Sequence, residues 1–305
     1  MLVTIFGGGG FVGRYVAQEL LAKGLRVRVA ERNPGNAMRV KPLAGLGQVQ
    51  LVHADVTDPA SVARAVAGAG AVVNLVAVLG GKLDAINHQG SANVANAVKA
   101  AGIPTLVHIS AIGADANSAS AYGRSKGQGE QAVREAVPGA IIIRPSIIFG
   151  REDQFTNRFA GMARMMPVLP VLAPETKFQP VYVVDVARAI AEAVENGAAH
   201  AGQTFELGGA QVMSMMEINR FVAERSGHPR TLLAMPNAVG SLLSMLPLSP
   251  ITRDQWKMLG HDTVVAPGAK GLGDLGVTPT PLAAVADGWL VVYRKHGRFS
   301  SSAKA

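Results

Sequence analysis

The chain has 305 residues, 49% of them apolar and 16% charged, with a formal net charge of +8 and no cysteine. That length suits one large domain or two smaller ones with a real core. The composition excludes a disordered chain, a disulfide framework, thiolate metal sites and a cysteine nucleophile. The positive charge fits nucleic acid, an anionic surface or a polyphosphate ligand, but no basic stripe studded with aromatics points to nucleic acid.

Met1 runs directly into a β-like segment with no basic, apolar-cored leader, so the expected location is cytoplasmic. Residues 2–6 read as a buried strand and 11–23 as an amphipathic helix stopped by Gly24. Strands are expected at 25–30, 49–53, 71–75, 105–110 and 140–144. Helices are expected after Asp58-Pro59, an N-cap followed by proline at the first turn, and over 91–101 and 122–136. Strands separated by helices pair in parallel through right-handed crossovers, so the expected fold is α/β, a doubly wound sheet of the Rossmann type. After Gly150 helical segments dominate, at 153–166, 184–196 and 214–226, with strand candidates near 178–183 and 203–207. The division is therefore a dinucleotide-binding domain over 1–150 and a smaller α+β portion over 151–305 for substrate or docking. Residues 231–252 carry no charge, and their prolines forbid one continuous helix. Only 237–246 suits a helix, read either as a buried short helix or as a surface that meets a membrane or a partner.

The strongest local signal is Gly7-Gly8-Gly9-Gly10-Phe11-Val12-Gly13, which satisfies both GxxGxxG and GxGxxG between a strand and a helix. Gly7 permits the tight turn, Gly10 lets the backbone approach a pyrophosphate, and Gly13 permits close helix–strand packing. The amides opening the helix, at Phe11, Val12 and Gly13, suit phosphate. Two signals at the end of the second strand conflict. Glu31 suits the ribose 2′-hydroxyl of NAD(H), whereas Arg32 and Arg14 suit the 2′-phosphate of NADP(H). Asp55 and Val56, after the third strand, are candidates for the adenine edge.

Tyr122-Gly-Arg-Ser-Lys126 places a phenol and an ammonium one turn apart on a helix. A nearby ammonium favours phenolate, so Tyr122 is expected to have a lowered pKa and to serve as general acid/base, with Lys126 holding the nicotinamide ribose. The glycine turn and this pair together resemble an atypical extended short-chain dehydrogenase/reductase of the NAD-dependent epimerase/dehydratase kind. Further matches are Asn74 to the family's cofactor-site Asn, Asn87 to an active-region Asn, Arg144-Pro145 with Phe149-Gly150 to the segment beside the nicotinamide, and Val183–Ala187 to a late strand–helix junction. Pro145 and Ser110 join the cofactor set on that basis. The segments IRPSIIFGREDQFTNRF, QPVYVVDV, ITRD and LGDLGVTPTPL are also similar to the dehydrogenase-like accessory subunits of respiratory complex I. That resemblance implies docking on complex I near the membrane, peripheral at its inner face. It also implies a structural nucleotide outside the electron path, with NADP(H) favoured over NAD(H).

The catalytic reading weakens at one point. In His108-Ile109-Ser110-Ala111, the position where the family places a Ser or Thr hydroxyl falls on Ala111, and Ser110 points to the opposite face. Losing such a donor costs roughly 10²–10³ in rate. His53, His88 and His108 lack metal-ligand spacing, so no metal site is expected. Gln154, Asn157 and Arg158 suit either a substrate pocket or a polar helix face, and the methionines at 162–166 and 213–216 suit core filling. Three functions stay open: a nucleotide-holding structural subunit, a free oxidoreductase or epimerase using Tyr122 and Lys126, or a redox sensor reading NADPH/NADP⁺ through its fold.

Overall fold

Short apolar runs punctuated by glycine and by capped helices generate the first half of the chain. In order, it forms β1 (Leu2–Phe6), α1 (Phe11–Ala22), β2 (Arg26–Glu31), β3 (Val49–His53), α2 (Pro59–Val66), β4 (Ala71–Asn74), α3 (Gly90–Ala100), β5 (Thr105–Ile109), α4 (Ala121–Ala136) and β6 (Ile141–Pro145). Asp58 caps α2 by accepting the Ala60 N–H at 3.0 Å, and Gly24, at φ +76°, closes α1. The computed structural model describes residues 1–246, 251–295 and 297.

The strands form a seven-stranded parallel sheet in the order (Thr204–Leu207)-β6-β5-β4-β1-β2-β3. Helices cover both faces, so the central strands are continuously apolar. Val3, Ile5, Val27, Val29, Val72, Val107 and Ile141–Ile143 are buried. Chain order reverses between β1 and β4, which is where an open α/β sheet opens a crevice at its carboxyl ends. The segment at 203–207 was expected in the smaller C-terminal portion. It instead adds the seventh strand, Thr204–Leu207, to the main sheet, because the helix α6 (Val183–Glu195), which follows α5 (Thr156–Met165), provides another crossover.

By its contacts the chain divides into two units. One comprises Met1–Pro145, Val183–Leu207 and Ala266–Thr278; the other comprises Ser146–Tyr182, Gly208–Val265 and Pro279–Ala305. The division read from sequence has one boundary, at Gly150, whereas two later segments return to the first unit.

The second unit is built on α5, the helix Met215–Arg225 and three two-stranded sheets. Its core gathers Phe149, Phe178, Ile218, Val222, Leu282, Trp289 and Leu290. Ser214 and Glu217 form a capping box on Met215–Arg225. The strand expected over 178–183 is two strands, Lys177–Phe178 and Val181–Tyr182. Pro180 interrupts them, and the Gln179 amide ties the gap by donating to the Gly209 carbonyl (2.9 Å) and accepting from Val265 N–H (3.1 Å). Asp153 is buried ahead of α5 and accepts from the Gly150 and Phe155 amides (2.9 and 2.7 Å) and the Thr156 hydroxyl (2.6 Å).

Two expectations change here. Met165 is exposed rather than core-filling, although Met215 is buried and Met162, Met166, Met213 and Met216 pack against the cores. The uncharged segment is not a buried helix: Asn237–Leu243 is short, and Leu233, Leu242, Met245 and Leu246 are exposed. Within it Gly240 is pressed against the Trp256 ring and Ser244 is buried. Residues 247–250 lie outside the described part, as do Arg298 and Lys304 of the C-terminal basic run. Arg294 of that run pairs with Asp287 at 3.1 Å. No helix among the described residues is long and apolar enough to cross a membrane.

Candidate functional site

The glycine turn lies at the carboxyl end of β1, beside the point where strand order reverses. The Gly7 N–H bonds to the Ala30 carbonyl at 3.2 Å, Gly7 has φ +79°, and the Gly10 N–H returns to the Gly7 carbonyl at 3.1 Å. A Cβ on Gly13 would lie 2.3 Å from the Gly7 oxygen and 2.5 Å from the Gly8 Cα, so only glycine lets α1 start this close to the turn. Gly10, the N-cap of α1, supplies no side-chain cap, and no acidic residue occupies the first turn. The amides of Phe11, Val12 and Gly13 are thus the first-turn donors that a helix cannot pair internally. Together with the macrodipole they suit an anion.

Glu31 is drawn into this turn, its Oε1 accepting the Gly9 N–H at 2.8 Å. Arg14 reaches back to the Gly10 carbonyl (Nε, 3.4 Å) and Arg32 is exposed. The Asp55 carboxylate folds onto Thr57, accepting its N–H at 2.9 Å and its hydroxyl at 2.8 Å. The Thr57 backbone and then hydroxyl bonds, with lesser help from Arg32 and His53, hold the Asp55 carboxyl below the usual range against its partial burial. Val56 packs into the core, and its carbonyl accepts from Asn93 at 2.8 Å.

A second cluster lies on the α4 face of the sheet. Register places Asn74 beside His108, His108 beside Ile142, and Arg144 beside Glu206. With a period of two along each strand, Asn74, His108, Ser110, Arg144 and Glu206 share that face. Helix α4 covers them with Lys126 and Glu130. The Lys126 ammonium donates to the Ile109 carbonyl at 2.7 Å, and Glu130 takes Arg144 in a fork (2.9 and 2.6 Å) while Arg144 also approaches Glu206 at 3.6 Å. Asn87, also buried, grips Val78 through both its N–H and its carbonyl (2.9 Å each) and donates to the Ser125 hydroxyl at 3.0 Å. The helix lies close because Gly127 and Gly129 leave no room for a Cβ against Ala116 and Asn87 backbone.

Burial sets the chemistry of the Tyr-Lys pair. Desolvation pushes the Lys126 ammonium down to about 8, with Glu130 resisting. It also pushes the Tyr122 phenol up to about 12. The expected phenolate-favouring effect of Lys126 is therefore reversed: desolvation dominates, and the ammonium is directed at a backbone carbonyl. Ser110 is 4% exposed with its hydroxyl facing the interior, and its N–H extends the β5 ladder to the Ile143 carbonyl at 2.7 Å. Ala111 keeps some exposure. Asn74 is likewise engaged, its carbonyl on the Val76 N–H (3.2 Å) and its amide on His108 Nδ1 (3.3 Å). Pro145 closes β6, and its carbonyl accepts the Ile112 N–H at 3.1 Å. Among the described residues no cluster of His, Asp or Glu forms a metal site.

A glycine cradle that a Cβ would fill, uncapped helix amides and a buried lysine together fit a dinucleotide. When bound, such a group supplies hydride chemistry. The chain's own residues would hold its diphosphate at Gly7–Gly13, its adenosine end near Glu31, Arg32 and Asp55, and its nicotinamide ribose at Lys126.

A family model described as the NAD dependent epimerase/dehydratase family matches residues 3–208. The chain belongs to that family. Its members' cofactor class is a nicotinamide dinucleotide, which the cradle fits. Over 298 residues the chain is 34% identical to NADH dehydrogenase (ubiquinone) 1 alpha subcomplex subunit 9, mitochondrial, of Rattus norvegicus, covering 92% of this chain and 78% of that protein. Two solved structures share the fold. UDP-glucose 4-epimerase of Thermotoga maritima, with UDP-glucose, superposes with TM-score 0.74 at 18% identity over 97% of this chain and 99% of that one. An NADPH-dependent quinone oxidoreductase of Escherichia coli, complexed with NADPH, gives TM-score 0.74 at 20% identity over 94% and 99%.

Sequence reasoning missed the linked chain of Glu130, Arg144 and Glu206, and the burial of His108 between Asn74 and Ser110. A signal was available for the first: glutamate and lysine four apart on a helix whose apolar face must cover the sheet. For His108, alternation of polar residues within an otherwise apolar strand was the only sign.

Proposed function

We propose that the chain is a nucleotide-holding subunit of the complex I type, in which NADP(H) stabilises a docking module and turns over little or not at all. The 34% identity over most of both chains to a complex I subunit supports this reading. The observation that carries it is the state of the would-be catalytic centre. A general acid/base works best with a pKa near the operating pH, whereas Tyr122 sits near 12. The companion hydroxyl of Ser110 faces inward, and Ala111 occupies the alternate position. The glycine cradle nevertheless remains intact.

In this reading Gly7, Gly10, Phe11, Val12, Gly13 and Arg14 hold the diphosphate, Glu31, Arg32, Asp55 and Val56 the adenosine end, and Asn74, Ser110, Tyr122, Lys126 and Pro145 line the nicotinamide end. Arg14 and Arg32 favour NADP(H), because Glu31 is already engaged by the Gly9 amide. Arg32→Ser should weaken NADPH about tenfold and leave NADH within about twofold. Equal losses for both would remove the case for NADP(H). The exposed Leu233, Leu242, Met245 and Leu246, in a stretch without charge, support a docking surface, which this reading assigns to complex I near the membrane.

The test is a tagged chain recovered from native membranes under mild detergent. Co-purification of complex I subunits with NADP(H) supports the proposal. Recovery as an isolated soluble protein with a measurable dehydrogenase activity that Tyr122→Phe abolishes would overturn it.

A further inference from the structure

The polar layer beneath α4 contains His108, which the nucleotide reading does not use, beside Ser110, which that reading places at the nicotinamide end. His108 Nε2 and Ser110 Oγ are both buried, and among the described residues neither has a hydrogen-bond partner. Most buried polar groups are satisfied by protein or ordered water, so two orphans side by side call for a cause.

The tautomer of His108 follows from its neighbour. Asn74 Oδ1 accepts the Val76 N–H, which leaves the Asn74 amide nitrogen as the group facing His108 Nδ1. Nδ1 therefore accepts, and in a neutral imidazole the proton rests on Nε2. Full burial, reinforced by the Lys126 charge, keeps the ring neutral. The orphan is thus an N–H donor. His108 and Ser110 are two residues apart in a strand whose ladder continues through Ser110, so their side chains project side by side on one face, about 7 Å apart at the backbone. Neither bonds the other directly, so a single oxygen that accepts from Nε2–H and donates to the Ser110 hydroxyl would satisfy both. The Ile109 carbonyl lies on the backbone between them, and it is the acceptor that directs Lys126.

We propose that His108 is a positioning residue whose Nε2–H shares one buried water with the Ser110 hydroxyl, and that this bridge fixes the Ile109 carbonyl and so the direction of Lys126. Such a water takes its acceptor role from His108 and donates to Ser110, within the two to four partners that buried waters keep. The charged and titratable groups around it are Lys126 and Glu130 from α4, Tyr122 at the start of α4, Arg144 from β6 and Glu206 from the adjoining strand. The functional consequence rests on Lys126 holding nucleotide. The water itself does not, so the two fail separately.

Two measurements on the full chain test this. A high-resolution crystal structure should show a solvent oxygen within hydrogen-bond reach of both His108 Nε2 and Ser110 Oγ, and ¹⁵N spectra should show His108 protonated at Nε2 only. A direct His108–Ser110 bond, a dry contact, or a proton on Nδ1 would overturn the proposal. In the second, NADPH binding is followed by fluorescence from pH 6 to 10. His108→Phe should move the pH midpoint of binding downward and weaken NADPH about five- to tenfold at pH 7. His108→Gln, which keeps a donor at the Nε2 position, should restore both to within about twofold. Where His108→Phe fails to fold, His108→Leu and His108→Gln carry the comparison. A purely structural role lowers melting temperature and leaves the midpoint in place, and that result refutes the positioning role. Lys126→Met binding NADPH as well as wild type would instead remove the nucleotide reading and leave the water bridge standing.

Discussion

Gly13→Ala adds one methyl group at the tightest point of the cradle. The new Cβ would stand 2.3 Å from the Gly7 carbonyl oxygen and 2.5 Å from Gly8 Cα, where real Cβ contacts do not fall below 3.0 Å. Both obstacles are backbone, so no side chain can rotate away, and α1 must withdraw from the turn by about 0.7 Å or more. Overpacking of this kind costs about 1–3 kcal/mol. At roughly 2–4 °C per kcal/mol for a domain this large, the melting temperature should fall by about 2–12 °C. The same displacement moves the first-turn amides off the position that suits a diphosphate. The stabilisation by NADPH, about 2.7 kcal/mol at a hundredfold excess over Kd in wild type, should therefore be largely lost. Gly161 provides the matched control: it lies within α5 with nothing within 4 Å of a Cβ. Gly161→Ala should be neutral or stabilising by about 0.5–1 kcal/mol. Differential scanning fluorimetry of the three proteins with and without NADPH reads both effects. If Gly13→Ala melts with wild type and keeps its NADPH shift, the cradle argument is wrong.

Two further predictions concern the layer beneath α4. Lys126 titrates near 8 in the native chain against 10.5 when exposed, through desolvation. Between those values the native state has shed the proton that the unfolded chain still binds, so nucleotide-free stability should rise as pH goes from 8 to 10.5. The rise from this group is about 3 kcal/mol and should be absent from Lys126→Met in paired denaturation curves. Arg144→Met would leave the Glu130 carboxylate, 5% exposed at its side chain, without its forked partner. The expected loss is about 3–5 kcal/mol by chemical denaturation, with part recovered in the Arg144→Met/Glu130→Gln double variant.

Much of the first unit was legible because local and global signals agree there. Glycine at a tight turn, Asp58 at an N-cap, and apolar runs of strand length each have one natural reading. The pairing of Thr204–Leu207 with β6 was not legible, since periodicity identifies a strand without naming its neighbour. Nor was the split at Gln179-Pro180 legible, where a side-chain amide replaces the ladder. The candidate site divides in the same way. Gly7, Gly10 and Gly13 follow from backbone demands that sequence displays directly. The pKa of Tyr122 does not: a lysine one turn away predicts a lowered value, but burial, invisible in the sequence, raises it. Ser110 shows the limit of alternation at a strand end: sequence sets it opposite Ala111, but its burial, and that of His108 two residues earlier, is visible only in the fold.

The central claim is that the bound nucleotide holds the module together and does not react. The direct measurement is the redox state of that nucleotide in native complex I containing this chain, by rapid quench and mass spectrometry during NADH-driven quinone reduction. The account predicts nicotinamide dinucleotide retained on the chain, its oxidation state unchanged across many turnovers. Oxidation and re-reduction of that bound pool at the rate of turnover would contradict it.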